Sequence, residues 1–481
     1  MRPAHELTVS RAPVPAFALP AVAVRYRVAL VVLGLTALSF LAPAAPTYDP
    51  WAWIIWGREI LHLDLSTVHG PSWKPLPVLL TTPFSVFGGL APDLWLFVAR
   101  AGAIAGVVML FRLGRRLGGL PAGFAAAAPY ALAPWTVRNA AMGNSEGLLV
   151  ALTLAAVDRH VDGRPRAAFA FAVGAAMLRP EVWPFVGLYG LWLLWRVPRA
   201  RGLVVAGFAW LPAIWLLPEW WGSGDLLRAM HRAQSPRGDS PAFAENPVRA
   251  VLEQFASMFT TGVWVGLAAL VIVLLLRRWP GRRELAILGT LVAGALLWVV
   301  EVALMTSDGF SGNIRYLVMP AAIACLAAGV GIGWLARAVV GSWVAGTSAA
   351  AVALGVVAGI AFAAPAAPRV PADVRAVTYQ ARLSDHVAGL VARAGGPARL
   401  KACGQVYTGP FQVPVVAWHM HLHTTQVSSL LPHRPGVLFR VRSNPSSRPG
   451  PTMRAIGTLS DTKTLSVAPG WRLVAACAGS P

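Results

Sequence analysis

The sequence predicts a mainly α-helical, polytopic membrane protein with a small α/β domain at its C-terminal end. Three observations predict it. Hydrophobic residues make up 56% of the 481, and only 13% are charged, where soluble domains carry about a quarter. Long apolar runs recur from residue 28 to residue 362, separated by short Arg-rich stretches. Near residue 364 the pattern changes to one amphipathic stretch followed by short β-like runs.

The apolar runs set the transmembrane part. A helix crossing a bilayer needs about 20 apolar residues. Candidate spans are 28–44, 94–111, 120–136, 146–158, 167–179, 182–196, 203–219, 260–276, 284–305, 316–336 and 340–362, which predicts about eleven crossings. The net charge of +21 does not imply nucleic acid, because the basic residues cluster between apolar runs as in cytoplasmic membrane loops. Arg112–Arg116, Arg159–Arg166, Arg196–Arg201, Arg277–Arg283 and Arg337 fall on one side if the N-terminus is cytoplasmic. The outer side then receives 45–93, 137–145, the Arg179–Glu181 corner, 220–259, 306–315 and the tail. Residues 76–90 are too short for a span and open with Pro75 and Pro77, so they are expected to lie on the outer surface or dip into it. Residues 1–24 show no apolar core followed by a small-residue cleavage site, and the first run is expected to be a retained helix. The predicted organisation is a cytoplasmic tail (1–24), a transmembrane domain (25–363) with its first outer loop at 45–93, and an extracytoplasmic domain (364–481).

In the tail, 371–395 reads as an amphipathic helix with Val374, Val377, Leu383, Val387, Leu390 and Val391 on one side. Strands are expected at 403–408, 413–420, 436–442, 464–468 and 472–477. Cys403 and Cys477 frame this segment, which fits a disulfide in an oxidising compartment; two separate buried thiols are the alternative. Cys325 lies in an apolar run and reads as packing.

The first outer loop holds the densest chemistry. Trp51, Trp53, Trp56 and Trp73 suit a membrane–water interface. Asp49 follows the first span and can act as a general base between apolar walls, or cap a helix starting at Pro50. Lys74, fixed by Pro75, can bind a lipid phosphate as a point charge or snorkel at the interface. Glu146, in Gly-Asn-Ser-Glu-Gly, is either a second functional carboxylate or a helix-start residue, with Ser145 or Asn144 as cap. Arg179 and Glu181 interrupt an apolar stretch, where ionisable residues face a cavity or pair with each other or with Glu146. Glu301 raises the same question. Arg315 opens the tenth span and can hold a phosphate there, or anchor the interface with Tyr316. His419, His421 and His423 alternate; on a strand they share a face, more in keeping with a polar strand face than with a metal site.

Taken together, these pieces resemble the GT-C superfamily of integral-membrane glycosyltransferases, nearest to its protein-mannosyltransferase, aminoarabinose-transferase and RgtABCD-like branches. The matching residues are Tyr48-Asp49, Lys74-Pro75-Leu76-Pro77, Asn144-Ser145-Glu146, Leu178-Arg179-Pro180-Glu181, and Arg315-Tyr316 with Pro320. The resemblance implies a GT-C fold and a sugar donor linked to polyprenyl phosphate, used on the extracytoplasmic face against an envelope glycan, glycolipid or protein. It implies Asp49 as base, Glu146 as an acidic residue near the acceptor, and Lys74, Arg315 and Arg179 on the donor phosphate. Tyr48, Trp51, Glu181 and Tyr316 would contact substrate. Pro50 stands where the mannosyltransferases have a second acid, and no Asp-x-Asp motif is evident in the second outer loop, which weakens the case for metal dependence; a divalent metal stays open and no cofactor is certain. The Ala-, Gly-, Arg- and Pro-rich composition fits a GC-rich genome, such as that of an actinobacterium with a decaprenyl-like lipid. The rival readings are a lipid-linked saccharide flippase and a non-catalytic envelope-assembly protein.

Overall fold

The computed structural model describes residues 21–340, 349–430, 435–451 and 462–477. The predicted cytoplasmic tail at 1–24 lies almost entirely outside the described residues. Helices α1 (Ala21–Ser39), α2 (Tyr48–Leu61), α3 (Pro75–Phe84), α4 (Ala91–Leu132), α5 (Pro134–Ala141), α6 (Glu146–Val161), α7 (Pro165–Ala176), α8 (Trp183–Arg196) and α9 (Arg201–Ser223) come first. They are followed by α10 (Arg228–Ala233), α11 (Pro247–Ser257), α12 (Thr261–Leu275), α13 (Arg282–Ser307), α14 (Val318–Val340) and α15 (Ala349–Ala363). Helices thus overlap every predicted apolar run.

Among the described residues, four stretches are long and apolar enough to cross a membrane, or up to seven if each bent helix pair counts as one. Length gives fewer crossings than the eleven expected because α7, α8 and α12 have only 12, 14 and 15 residues. The chain is a multi-pass membrane protein. Its outward faces agree: Leu296, Leu297, Val300 and Leu304 of α13 are all exposed, which suits lipid and not water. Inside, α14 is buried along almost its whole length. It sits so close to α4 that a β-carbon on Gly329 would overlap the backbone of Ala126, the close small-residue approach that packs helices in lipid. α4 runs on through a kink at Gly119, whose φ of 84° is left-handed.

The two ends of the bundle differ. At the end where α6 finishes, Arg112, Arg116 and Arg159 pair with Asp158 and Asp162, and Arg283 donates to the Val161 carbonyl. These basic clusters therefore tie α4, α6 and α13 together as well as marking sidedness. At the other end, where α6 begins, the chain gathers α2, α3 and the breaks before α6, α12 and α14.

The C-terminal part is a small α/β unit. α16 (Val370–Arg393) and α17 (Gly396–Ala402) precede β1 (Gln405–Thr408), α18 (Val413–Met420), β2 (Val427–Ser428), β3 (Gly436–Val441), β4 (Lys463–Ala468) and β5 (Trp471–Ala476). The sheet order is β2-β1-β3-β5-β4. β1 is parallel to β2 and β3, and β5 is antiparallel to β3 and β4. α16 buries Val377, Leu383, Val387, Leu390 and Val391. Val374, expected on the same side, is 41% exposed, because the first turn of α16 lies before the part that covers the sheet. The run 413–420 is a helix and not a strand: Pro414 sits in its first turn, where a missing N–H costs nothing, whereas in a strand it would break the ladder. His419, His421 and His423 consequently share no strand face. His419 lies in the last turn of α18, His421 has φ 51°, and His423 starts the next turn.

Cys403 is bonded to Cys477, 74 residues on, and Cys325 is a buried free thiol. Under denaturation without reductant, a maleimide should therefore label one of the three cysteines, and all three after reduction. Reduction should destabilise the C-terminal domain by about 4 kcal/mol through the chain entropy released to its unfolded state. Labelling of Cys403 before reduction would rule the bridge out.

Candidate active site

Five chain segments far apart in sequence meet at the end of the bundle where α6 begins. α2 starts at Tyr48, and the backbone N–H of Thr47 donates to Met142 O at 3.1 Å, fixing this start against the break before α6. Asp49 is the second residue of α2 and Thr47 is its N-cap, so Asp49 does not cap a helix at Pro50. Its carboxylate faces the positive end of the helix dipole and accepts from Arg315 Nη1 at 2.8 Å. Arg315 is held in turn by Asn313, whose Oδ1 accepts the Arg315 backbone N–H at 3.0 Å.

Glu146, the first residue of α6, is the hub. Only 1% exposed, its Oε1 accepts from Arg179 Nη2 at 2.8 Å and from Arg315 Nε at 2.9 Å, with Lys74 Nζ 3.9 Å away. Ser145 makes no side-chain cap; its Oγ accepts from Lys74 Nζ at 3.2 Å. Lys74 stands just before α3 and lies 5.1 Å from the Trp53 ring. Arg179 occupies extended backbone between α7 and the next turn. It donates to Glu181 Oε1 at 3.3 Å and stacks on the Tyr316 ring at 4.4 Å. Such a buried network stands only when each charge is matched. Here three cations (Lys74, Arg179, Arg315) face three acids (Asp49, Glu146, Glu181).

A cavity of about 490 Å³ opens beside this network. Asp49, Lys74, Arg179, Arg315 and Tyr316 line it, together with Arg232, Arg237 and Asp239. Five cations thus face two carboxylates, because Glu146 and Glu181 lie behind the wall. Arg179 Nε and Arg315 Nη2 are buried without a hydrogen-bond partner among the described residues, so the acids do not saturate the two guanidinium groups. The arrangement is built to take up negative charge. A second cavity, of about 710 Å³, shares Asn313, Ile314 and Arg315 with the first. Arg138, Arg369, Asn139 and Asn144 line it, with an apolar side of Trp135, Met258 and Phe259.

Burial, then the nearby charge of Arg179, push the Lys74 ammonium down to about 7. The charged form is therefore lost as pH rises through 7, and its burial costs the folded protein stability that falls away between about pH 10.5 and 7 and stays lost below 7. A bound anion would offset that cost. If Lys74 must be charged to hold a donor, kcat/KM for that donor should fall about tenfold per pH unit above 7, and Lys74→Arg, charged throughout, should flatten the profile. A flat profile in the unaltered protein would remove Lys74 from this role.

Other predicted site residues lie elsewhere. The Trp51 indole packs on Trp418 and His419 of the C-terminal domain, at 6.0 and 5.9 Å, and does not line the cavity. Tyr48 is half-buried behind it. Among the described residues no group of three His, Cys, Asp or Glu is placed to hold a metal ion. Arg232 and Arg237 were missed. The available signal was three arginines (Arg228, Arg232, Arg237) in a stretch expected to be an outer loop, against the bias that keeps such residues cytoplasmic.

Two crystal structures share this architecture. ArnT from Cupriavidus metallidurans bound to undecaprenyl phosphate superposes with a TM-score of 0.52 at 15% identity, covering 95% of this chain and 99% of that one. Its apo form gives a TM-score of 0.54 at 15% identity, covering 96% and 99%. The fold is that of ArnT. The likeness to ArnT runs through the C-terminal domain as well, since it spans nearly both whole chains. No family model matches the sequence, and no curated protein matches it either.

Proposed function

We propose that this chain is an inverting GT-C-type glycosyltransferase. It would move a sugar from a polyprenyl-phosphate donor to a hydroxyl of a cell-envelope glycan, glycolipid or protein on the extracytoplasmic side. The observation that carries the reading is one carboxylate, Asp49, set against a cation-rich cavity at a helix-bundle end. The bound lipid of the ArnT crystal structure, undecaprenyl phosphate, is of the class such a cavity suits. The eleven-span topology with a cytoplasmic N-terminus belongs to the same proposal, because it puts the site outside.

Asp49 takes the proton from the acceptor hydroxyl. That oxygen attacks the anomeric carbon from the face opposite the phosphate, and the bond from carbon to phosphate oxygen breaks. The phosphate leaves with the electron pair, and the anomeric configuration inverts. Lys74, Arg315 and Arg179 neutralise the charge that develops on the leaving group, the kind of electrostatic stabilisation that dominates many transfers. The proton ends on Asp49 and the lipid ends as polyprenyl phosphate. Glu146 holds Arg179 and Arg315 in place. The second cavity, on the far side of Arg315, suits an amphipathic acceptor.

The test is incubation of purified protein with a panel of polyprenyl-phospho-sugars and envelope extracts, with products read by mass spectrometry. Transfer with release of polyprenyl phosphate supports the reading. Movement of intact lipid-linked sugar across vesicles without transfer would replace it with a flippase.

A further inference from the structure

The C-terminal domain touches two of the segments that supply cations to the first cavity. One loop is 62–74, which ends in Lys74. His423 ties the start of this loop to α2: Nδ1 lies 2.7 Å from Glu59 Oε1 and Nε2 3.0 Å from Asp64 Oδ2. Glu59 is 4% exposed, and its other oxygen accepts the Ser66 N–H at 3.0 Å. Thr424 Oγ1 donates to His69 O at 3.2 Å. Beneath them Arg58 donates to Leu422 O at 2.8 Å and lies 5.2 Å from the Trp418 ring. Within the loop, Leu63 has φ 55°, a left-handed conformation that a non-glycine residue keeps only when its surroundings impose it. From the opposite side Arg228 clasps the same loop through Pro71 O at 2.6 Å and Gly70 O at 3.0 Å. The second loop, 232–241, carries Arg237, whose guanidinium lies 4.7 Å from the ring of Phe411 in the C-terminal domain.

We propose that the C-terminal domain is a brace that fixes the cationic wall of the cavity, with His423 positioning the Lys74 loop and Phe411 positioning Arg237. The inference rests on the phosphate-donor reading above. It gives the domain a role in donor binding rather than in catalysis, since none of its residues lines the cavity. The buried Glu59 makes the link specific. Without His423 its carboxyl group keeps the Ser66 N–H on Oε2 but loses the imidazole partner of Oε1, and a buried oxygen left without a hydrogen bond is costly. Losing a hydrogen bond to a buried acceptor is enough to change a local opening equilibrium about tenfold.

The test uses the full-length protein in lipid nanodiscs, with undecaprenyl phosphate as probe. His423→Ala should speed amide exchange across 62–74 about tenfold, leave exchange in α14 unchanged, and raise the Kd for undecaprenyl phosphate. Phe411→Ala changes a side chain that is half exposed, so the fold should survive. It should raise the same Kd and speed exchange only in 232–241. Unchanged exchange at 62–74 in His423→Ala overturns the brace, as does faster exchange with unchanged affinity. Unchanged affinity in Phe411→Ala overturns the Arg237 arm. If the unaltered protein fails to bind undecaprenyl phosphate, the donor reading itself fails, which is a different result from variants that bind as well as it does.

Discussion

Asp49→Asn is expected to cut sugar transfer about 10²–10⁴-fold, the usual cost of losing a general base, while leaving a folded protein that still binds donor. The geometry separates this effect from a structural one. Thr47, not Asp49, is the N-cap of α2, and the amide oxygen of Asn can still accept from Arg315 Nη1. What is lost is the ability to take a proton and the negative charge at the start of the helix, worth about 0.3–1 kcal/mol; the ion pair with Arg315 goes too, but Arg315 keeps Glu146 as its charged partner. Donor Kd and the thermal midpoint should therefore move little while the turnover rate collapses. Near-normal transfer by a stable Asp49→Asn protein would remove Asp49 as the base and require another group to take the acceptor proton.

Glu146→Gln is expected to fail differently, by unsettling the site before any chemistry. The substitution keeps the shape but removes the charge that Arg179, Arg315 and Lys74 share. Uncompensated charge at a buried site costs about 3–5 kcal/mol, and here the remaining cations repel one another. The thermal midpoint should fall, and transfer should fall with it because Arg315 and Lys74 no longer hold their places. A Glu146→Gln protein that melts normally yet transfers no sugar would instead give Glu146 a direct part in the reaction, at the acceptor. The two substitutions together thus assign chemistry to one carboxylate and organisation to the other.

Much of the site was legible because its residues break local rules. Asp49, Lys74, Glu146, Arg179 and Arg315 are ionisable residues beside long apolar runs, where charge is costly and has a reason to be. Pairing was not legible: Arg315 meets Glu146 across 169 positions and Asp49 across 266, and nothing local ranks one acid over another. Trp51 carried a misleading signal, since an interface tryptophan and one packed under another domain look alike in sequence. In the tail, Val-Pro-Val-Val-Ala-Trp-His-Met reads as β-branched and apolar, but β propensity depends on having a partner strand. In the fold β1 pairs with β2 and β3, and 413–420 packs on α2 as α18 instead.

By itself, then, the sequence determined the membrane class, the positions of the long apolar helices and the identity of the charged residues, because apolar length and Pro breaks act within one or two turns. The tertiary structure decided that Glu146 is the hub, that Arg232 and Arg237 join the cavity wall, and that His423 reaches Glu59 and Asp64. Each of those depends on which helix ends are brought together. That is set by side-chain packing over the whole bundle, such as the close seat of α14 on α4 at Gly329 and Ala126, and no stretch of a few residues encodes it.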